Sequence, residues 1–280
     1  MAATALATNP ERMRSMIVPR EHGAWGMLLM PMVSGAAVGL ASGQHVADLL
    51  LFAVAALALF WLRTPVESLL GTSPVRPQND AERQPLLTTS AALALLAAAA
   101  LGALLWSRPR EGFLVIGAVA GAAFVAQAVL KKAGRRMRMP AQIIGVAGLT
   151  ATAPAAYYAL TGNLDRIALA LWLANWIFAA NQVHFVQLRI HAARLSGFRA
   201  KVDRGRWFLA GQIGMVVVLV GAWRLGTLRW MVPLAFLPVL VRGLRWFVRR
   251  PQPLAVRALG WWEVAHSLIF GALLVAAFLL

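Results

Sequence analysis

The stretch Ile167–Leu188, IALALWLANWIFAANQVHFVQL, runs directly into Arg189–Arg206, RIHAARLSGFRAKVDRGR. Its first part is apolar for long enough to cross the hydrocarbon core of a bilayer, which takes roughly 20 helical residues. Its second part carries Arg189, Arg194, Arg199, Lys201, Arg204 and Arg206 within one short segment. An apolar helix delivered into a cationic loop is the pattern of a membrane span that ends on the cytoplasmic side.

Outward from that stretch the pattern repeats. Apolar spans run over about Trp25–Ala41, Val46–Leu62, Thr88–Trp106, Phe113–Leu130, Ala141–Leu160, Ile167–Leu188, Trp207–Leu225, Trp230–Val241 and Trp262–Leu280. The fold class this predicts is all-α, a polytopic membrane protein of about nine transmembrane helices. The eighth span is the weakest, because Pro233 and Pro238 interrupt it and Arg242 follows closely. A kinked or re-entrant segment is one reading of it, and failure to cross would move the C-terminus to the other side. Pro65, after Arg63 and Thr64, is expected to kink or stop the second span, with Glu67 opening a loop. The run Asn79-Asp80-Ala81-Glu82-Arg83 reads as solvated loop.

Charge tests the count. With the N-terminus inside, 22 of the 27 lysines and arginines fall in the inner segments, leaving Arg108, Arg110, Arg166, Arg224 and Arg229 outside. A wrong helix count would scramble that bias. Trp61, Trp106, Trp207, Trp223, Trp230, Trp246, Trp261 and Trp262 lie at span ends, where an amphipathic ring prefers the interface. Residues 1–20 read as a cytoplasmic tail and 21–280 as one nine-helix transmembrane domain. The first twenty residues hold no apolar run long enough for a signal-peptide core, so the first hydrophobic helix is expected to stay as an uncleaved anchor.

Composition agrees, with 60% of residues apolar and 13% charged, where a soluble domain has about a quarter charged. Net charge is +17. Because the cations sit in short loops between spans, the expected partner is the anionic lipid leaflet rather than nucleic acid, for which no soluble basic module is left. The chain has no cysteine, which rules out disulfides and thiolate chemistry. Small residues such as Gly35-Ala36-Ala37 predict close helix packing.

Polar side chains recur at the inner helix ends. Arg20, Glu21 and His22 precede the first span; Arg63 and Glu67 end the second. The sixth helix carries Asn175, Asn181, Gln182, His184, Gln187, Arg189 and His191, with Asn181, His184 and His191 on one face. The ninth begins Trp261-Trp262-Glu263-Val264-Ala265-His266, with Glu263 and His266 at i, i+3. Each group has a plain reading: helix start and interface anchor for the first, a local Arg63–Glu67 pair for the second, interhelical hydrogen bonds for the sixth. The other reading is a ligand cavity, since many polar groups at one membrane level are costly unless they face a wet pocket. The ligand-binding candidates are Arg20, Glu21, His22, Arg63, Glu67, Asn181, His184, Gln187, Arg189, His191, Glu263 and His266. No metal set is complete among them, no catalytic residue stands out, and no cofactor is implied.

The motif Pro19-Arg20-Glu21-His22-Gly23-Ala24-Trp25-Gly26, followed by an apolar helix with Pro31, resembles the signature of the YwiC-like family of bacterial membrane proteins. That resemblance implies a multi-pass protein of the bacterial plasma (inner) membrane. A more distant one is to UbiA-type intramembrane prenyltransferases, which have nine helices and polar motifs at the cytoplasmic ends of helices two and six. Arg83-Gln84-Pro85-Leu86 resembles the close of their first motif, and Pro154 and Gly162 the approach to their second. The acids those enzymes use to hold magnesium are degenerate here, where Asn181, Leu188, His191 and Ala192 stand in the second motif. The resemblance implies a UbiA-like helical arrangement, and an enzyme or degenerate enzyme acting on an isoprenoid or lipid-phosphate substrate. A non-catalytic transporter or lipid-binding protein is the alternative. The expected ligand is an anionic head group held by Arg and His.

Overall fold

A computed structural model describes residues 10–19, 22–43, 45–107, 111–193, 195, 197–249 and 255–280. The described residues form helices and no strand. Among the described residues eight helical segments are long and apolar enough to cross a membrane. The remaining apolar span is broken into a 3-10 turn at Val232–Phe236 and a 12-residue α-helix at Leu237–Val248, with prolines opening both pieces. The chain is a multi-pass all-α membrane protein. It divides into two compact units, the first made of residues up to His22 and from Val46 to Arg110, the second of Gly23–His45 and Glu111–Leu280.

In the first unit α1 (Pro10–Ile17) packs on α3 (Val46–Leu69) and α4 (Asp80–Ser107). Met16 is fully buried, and Trp61 Nε1 donates to the Ile17 carbonyl. Two expectations are corrected here. Pro65 does not end its helix: α3 runs on to Leu69 with Pro65 buried, so Glu67 is helical. Continuing the helix leaves fewer backbone groups unmet than stopping it beside lipid. The run from Asn79 is not a solvated loop but the start of α4. Asn79 Oδ1 accepts from the Glu82 amide at 2.9 Å, and Glu82 reaches back to the Gln78 amide at 2.8 Å. This is the logic of a capping box. Glu82 also takes Arg12 Nε at 2.9 Å, which ties α1 to this helix start.

The second unit holds α2 (His22–Leu40) from Gly23, α5 (Glu111–Lys132), α6 (Arg138–Thr150), α7 (Thr152–Thr161), α8 (Arg166–His191), α9 (Phe198–Arg224), α10 (Leu237–Val248) and α11 (Val256–Leu279). The fifth apolar span is thus two helices meeting at Ala151. α2 lies so close to α7 that a Cβ on Gly35 would run into the Ala153 backbone. Polar side chains bolt the helices together where no water can. Thr152 Oγ1 donates to the Leu28 carbonyl, Asn175 Nδ2 to Ser34 Oγ at 3.1 Å, and Trp172 and Trp176 to carbonyls of α6. Asn175 is therefore a packing residue. The apolar centre stacks Phe178 on Phe270 at 3.9 Å, with Phe236 edge-on.

Two contacts give the direction of the last helices. Lys201, near the start of α9, reaches the carbonyl of Arg249 at the end of α10. Arg229, just beyond the end of α9, donates to the Phe278 carbonyl at the end of α11. So α9, the broken segment and α11 run back and forth between two ends of this unit.

Candidate functional site

Three helix faces meet in the second unit around a cavity of about 390 Å³. From α10 come Arg242 and Arg245, at i and i+3 and so on one side of the helix, and Arg249 follows as the extended residue that caps its end. The adjacent side of α10 carries Val239, Gly243 and Phe247, all buried. From α11 come Leu259, Trp262, Glu263 and His266, again one helical face. α8 contributes Phe185 and Arg189, one turn apart. The volume falls within the range of small-ligand pockets. The lining sets four guanidiniums against one carboxylate, and closes the rest with apolar and aromatic walls.

Arg242 is the best-fixed of the four, its side chain 10% exposed. Its Nη1 pairs with Glu263 Oε2, its Nη2 lies 3.5 Å from Asn181 Oδ1, and its guanidinium sits 4.2 Å from the Phe185 ring centre. A buried cation needs such partners, because unpaired it would carry its desolvation cost alone. Glu263 is held from behind: Gln182 Nε2 donates to its carbonyl and to Ser267 Oγ. His266 Nδ1 donates to the Trp262 carbonyl at 2.7 Å, leaving Nε2 as the ring nitrogen for a ligand. Arg245 and Arg249 are exposed.

The end of α10 is braced from α9. Lys201 is 4% exposed, and its ammonium donates to the carbonyls of Trp246 and Arg249 at 3.1 and 2.6 Å. A cation at a helix C-terminus meets both the orphan carbonyls and the negative end of the dipole. α9 can come this near because a Cβ on Gly205 would lie 2.6 Å from the Phe247 ring.

The residues expected to matter fall in several places. Arg189, Glu263 and His266 line the cavity, and Asn181 supports Arg242. His184 is edge-on to Phe208 at 5.3 Å, against α9. Gln187 Nε2 reaches Gln142 Oε1 of α6 at 3.4 Å, and His191 is exposed with Nδ1 donating to the Gln187 carbonyl. In the first unit Arg63 and Glu67 form an i, i+4 pair at 3.0 Å. Arg20 and Glu21, and Arg194 of the sixth helix's loop, lie outside the described residues; His22 is the first residue of α2. Among the described residues no three His, Asp or Glu are grouped to hold a metal ion.

Arg242, Arg245, Arg249 and Gln182 belong to the site but are not among the ligand-binding candidates of the sequence. In the sequence the three arginines serve as topology signals, and the i, i+3 spacing of Arg242 and Arg245 is the local mark of a shared face. Trp246, expected at the interface, is buried beneath the cavity, 8% exposed.

A family model described as YwiC-like protein matches residues 18–157, half of the chain. No curated protein and no solved structure matches. The cavity lining begins at Phe185, beyond the matched stretch.

Proposed function

Because this chain belongs to the YwiC-like family of membrane proteins, we propose that it works on a lipid, binding a phosphate-bearing head group in the basic cavity between α8, α10 and α11. The carrying observation is the lining itself. Four arginines offer paired N–H donors that match phosphate oxygens in the plane, and His266 can add another when protonated. Phe185, Val241, Leu259 and Trp262 offer apolar surface next to that charge, which suits the first carbons of a lipid chain. The distant resemblance to UbiA-type enzymes favours an isoprenoid as that chain. The basic bias of the loops favours a bacterial inner membrane, the N-terminus in the cytoplasm and the cavity open on that side.

Two forms of this reading differ in chemistry. Prenyl transfer from a diphosphate draws on carboxylates that hold magnesium. Glu263 is the carboxylate of the described lining, and it is already committed to Arg242. That donor set favours the non-catalytic form, a lipid-phosphate binder or transporter, over a prenyltransferase. The test is binding of a polyprenyl monophosphate to the purified protein in detergent, with the matching polyprenyl alcohol as control. Arg245 is exposed, so Arg245→Gln removes a donor without emptying the core. The expected result is binding of the phosphate over the alcohol, weakened about tenfold in Arg245→Gln, since a charge-assisted bond contributes roughly 1.5–3 kcal/mol. Equal binding of phosphate and alcohol defeats the proposal. Magnesium-dependent release of diphosphate from a prenyl diphosphate restores the catalytic form.

A further inference from the structure

Arg242 and Glu263 are joined by a single contact rather than a two-pronged fork. Nη1 of Arg242 meets Oε2 of Glu263, while Arg242 Nε and Glu263 Oε1 are both buried without a hydrogen-bond partner. Each unpartnered group carries a desolvation cost that the pair does not recover. The pair also lies inside the cavity: both residues line it, with Arg189, Arg245, Arg249 and His266 around them. Glu263 is fixed at its backbone by Gln182 and not at its carboxylate, so the side chain can swing while α11 stays in place. Asn181 and the Phe185 ring hold Arg242 independently of Glu263.

From this geometry we infer that Glu263 is a resident counter-ion. It occupies Arg242 when the cavity is without ligand, and an incoming phosphate group displaces it. The inference rests on the anion-binding reading above and adds how that site is regulated. A phosphate brings more oxygens and more negative charge than the Glu263 carboxylate, so it can replace Oε2 at Arg242 Nη1 and still offer oxygens to the other three arginines of the lining. Glu263 then sets selectivity: an anion must out-compete a carboxylate already in place, so weakly charged head groups are refused. Two negative groups close together in the cavity repel each other, so the carboxylate also lowers the affinity of any anion that enters.

The test measures a polyprenyl monophosphate and, separately, inorganic phosphate on the full-length protein in detergent. Glu263→Gln keeps the shape and removes the charge. It is expected to tighten binding about tenfold, the effect of removing one competing charge at close range. Glu263→Asp keeps the ion pair's charge for folding and shortens its reach, and is expected to tighten binding by a smaller factor. In an Arg242→Gln background the Glu263→Gln change is expected to tighten binding less than in the wild type, as coupled residues behave in a double-mutant cycle. Binding that needs Arg245 but is unchanged or weakened in both Glu263 variants overturns the counter-ion role and leaves the anion site standing. Absence of phosphate binding in wild type and variants alike overturns both. Tightening for inorganic phosphate as well as for the lipid assigns the competition to the head group alone.

Discussion

Lys201 shows how much a single side chain can decide in a site it does not enter. It is buried on α9, yet its ammonium closes the carbonyls at the end of α10, from which Arg245 and Arg249 project. Its charge is offset by two carbonyls, the helix dipole and the face of Trp246, 5.2 Å from the ring centre. Lys201→Met keeps most of the volume and strands those carbonyls. The expected cost is about 1–2 kcal/mol of stability, read as a lower Tm in detergent, with looser binding of a lipid phosphate. An unchanged Tm would mean that the desolvation of the ammonium cancels everything it holds. By sequence alone Lys201 is one of the loop cations that set topology. Nothing in a single lysine tells a buried cap from a solvated charge; the difference lies in which helix end comes to meet it.

Among the elements, apolar length was the signal that worked and proline was the one that misled. The long spans were read from hydropathy because lipid leaves a helix few alternatives. Pro65 is expected from the sequence to kink or stop its span, but it lies inside α3, as Pro85 lies inside α4. Breaking a helix beside lipid exposes several backbone groups, while a proline forfeits one hydrogen bond, so the helix continues. Small residues were read correctly as contact faces, and Gly35 is the sharpest case. Gly35→Leu would drive a side chain into the Ala153 backbone, where nothing flexible can yield. The expected loss is about 3 kcal/mol or more, seen as poor yield and early thermal unfolding, and Gly23→Leu is the control because the space at Gly23 is open. Equal behaviour of the two variants would mean that α2 and α7 are not in tight contact. α10 was missed as a site element for a different reason. Arginines at a helix end serve both topology and ligand binding, and only the facing residues of α8 and α11 separate the two uses.

At the scale of the whole molecule the open question is which side of the membrane holds the C-terminus, and the broken segment decides it. Val232–Phe236 as a 3-10 turn and Leu237–Val248 as α-helix together span roughly 28 Å, close to the hydrocarbon thickness of about 30 Å. Length alone would allow a crossing or a re-entrant loop. The contacts within the second unit choose between them. Arg229, ahead of the segment, meets the carbonyl of Phe278 at the far end of α11. Arg249, at its close, meets Lys201 at the start of α9 and lines a cavity shared with Arg189, near the end of α8. A segment that begins at one end of the unit and finishes at the other crosses it. α11 then crosses once more, and its end lies opposite the basic cavity. With the cationic loops inside, Leu280 is expected outside and Arg135 inside. The chain has no cysteine, so a single introduced one reports without background. In intact cells an impermeant maleimide should label Leu280→Cys and spare Arg135→Cys until the membrane is opened. Labelling of both from outside, or of Arg135→Cys alone, would overturn the orientation. Protection of both would make Leu237–Val248 re-entrant and bring the C-terminus back to the side of the cavity.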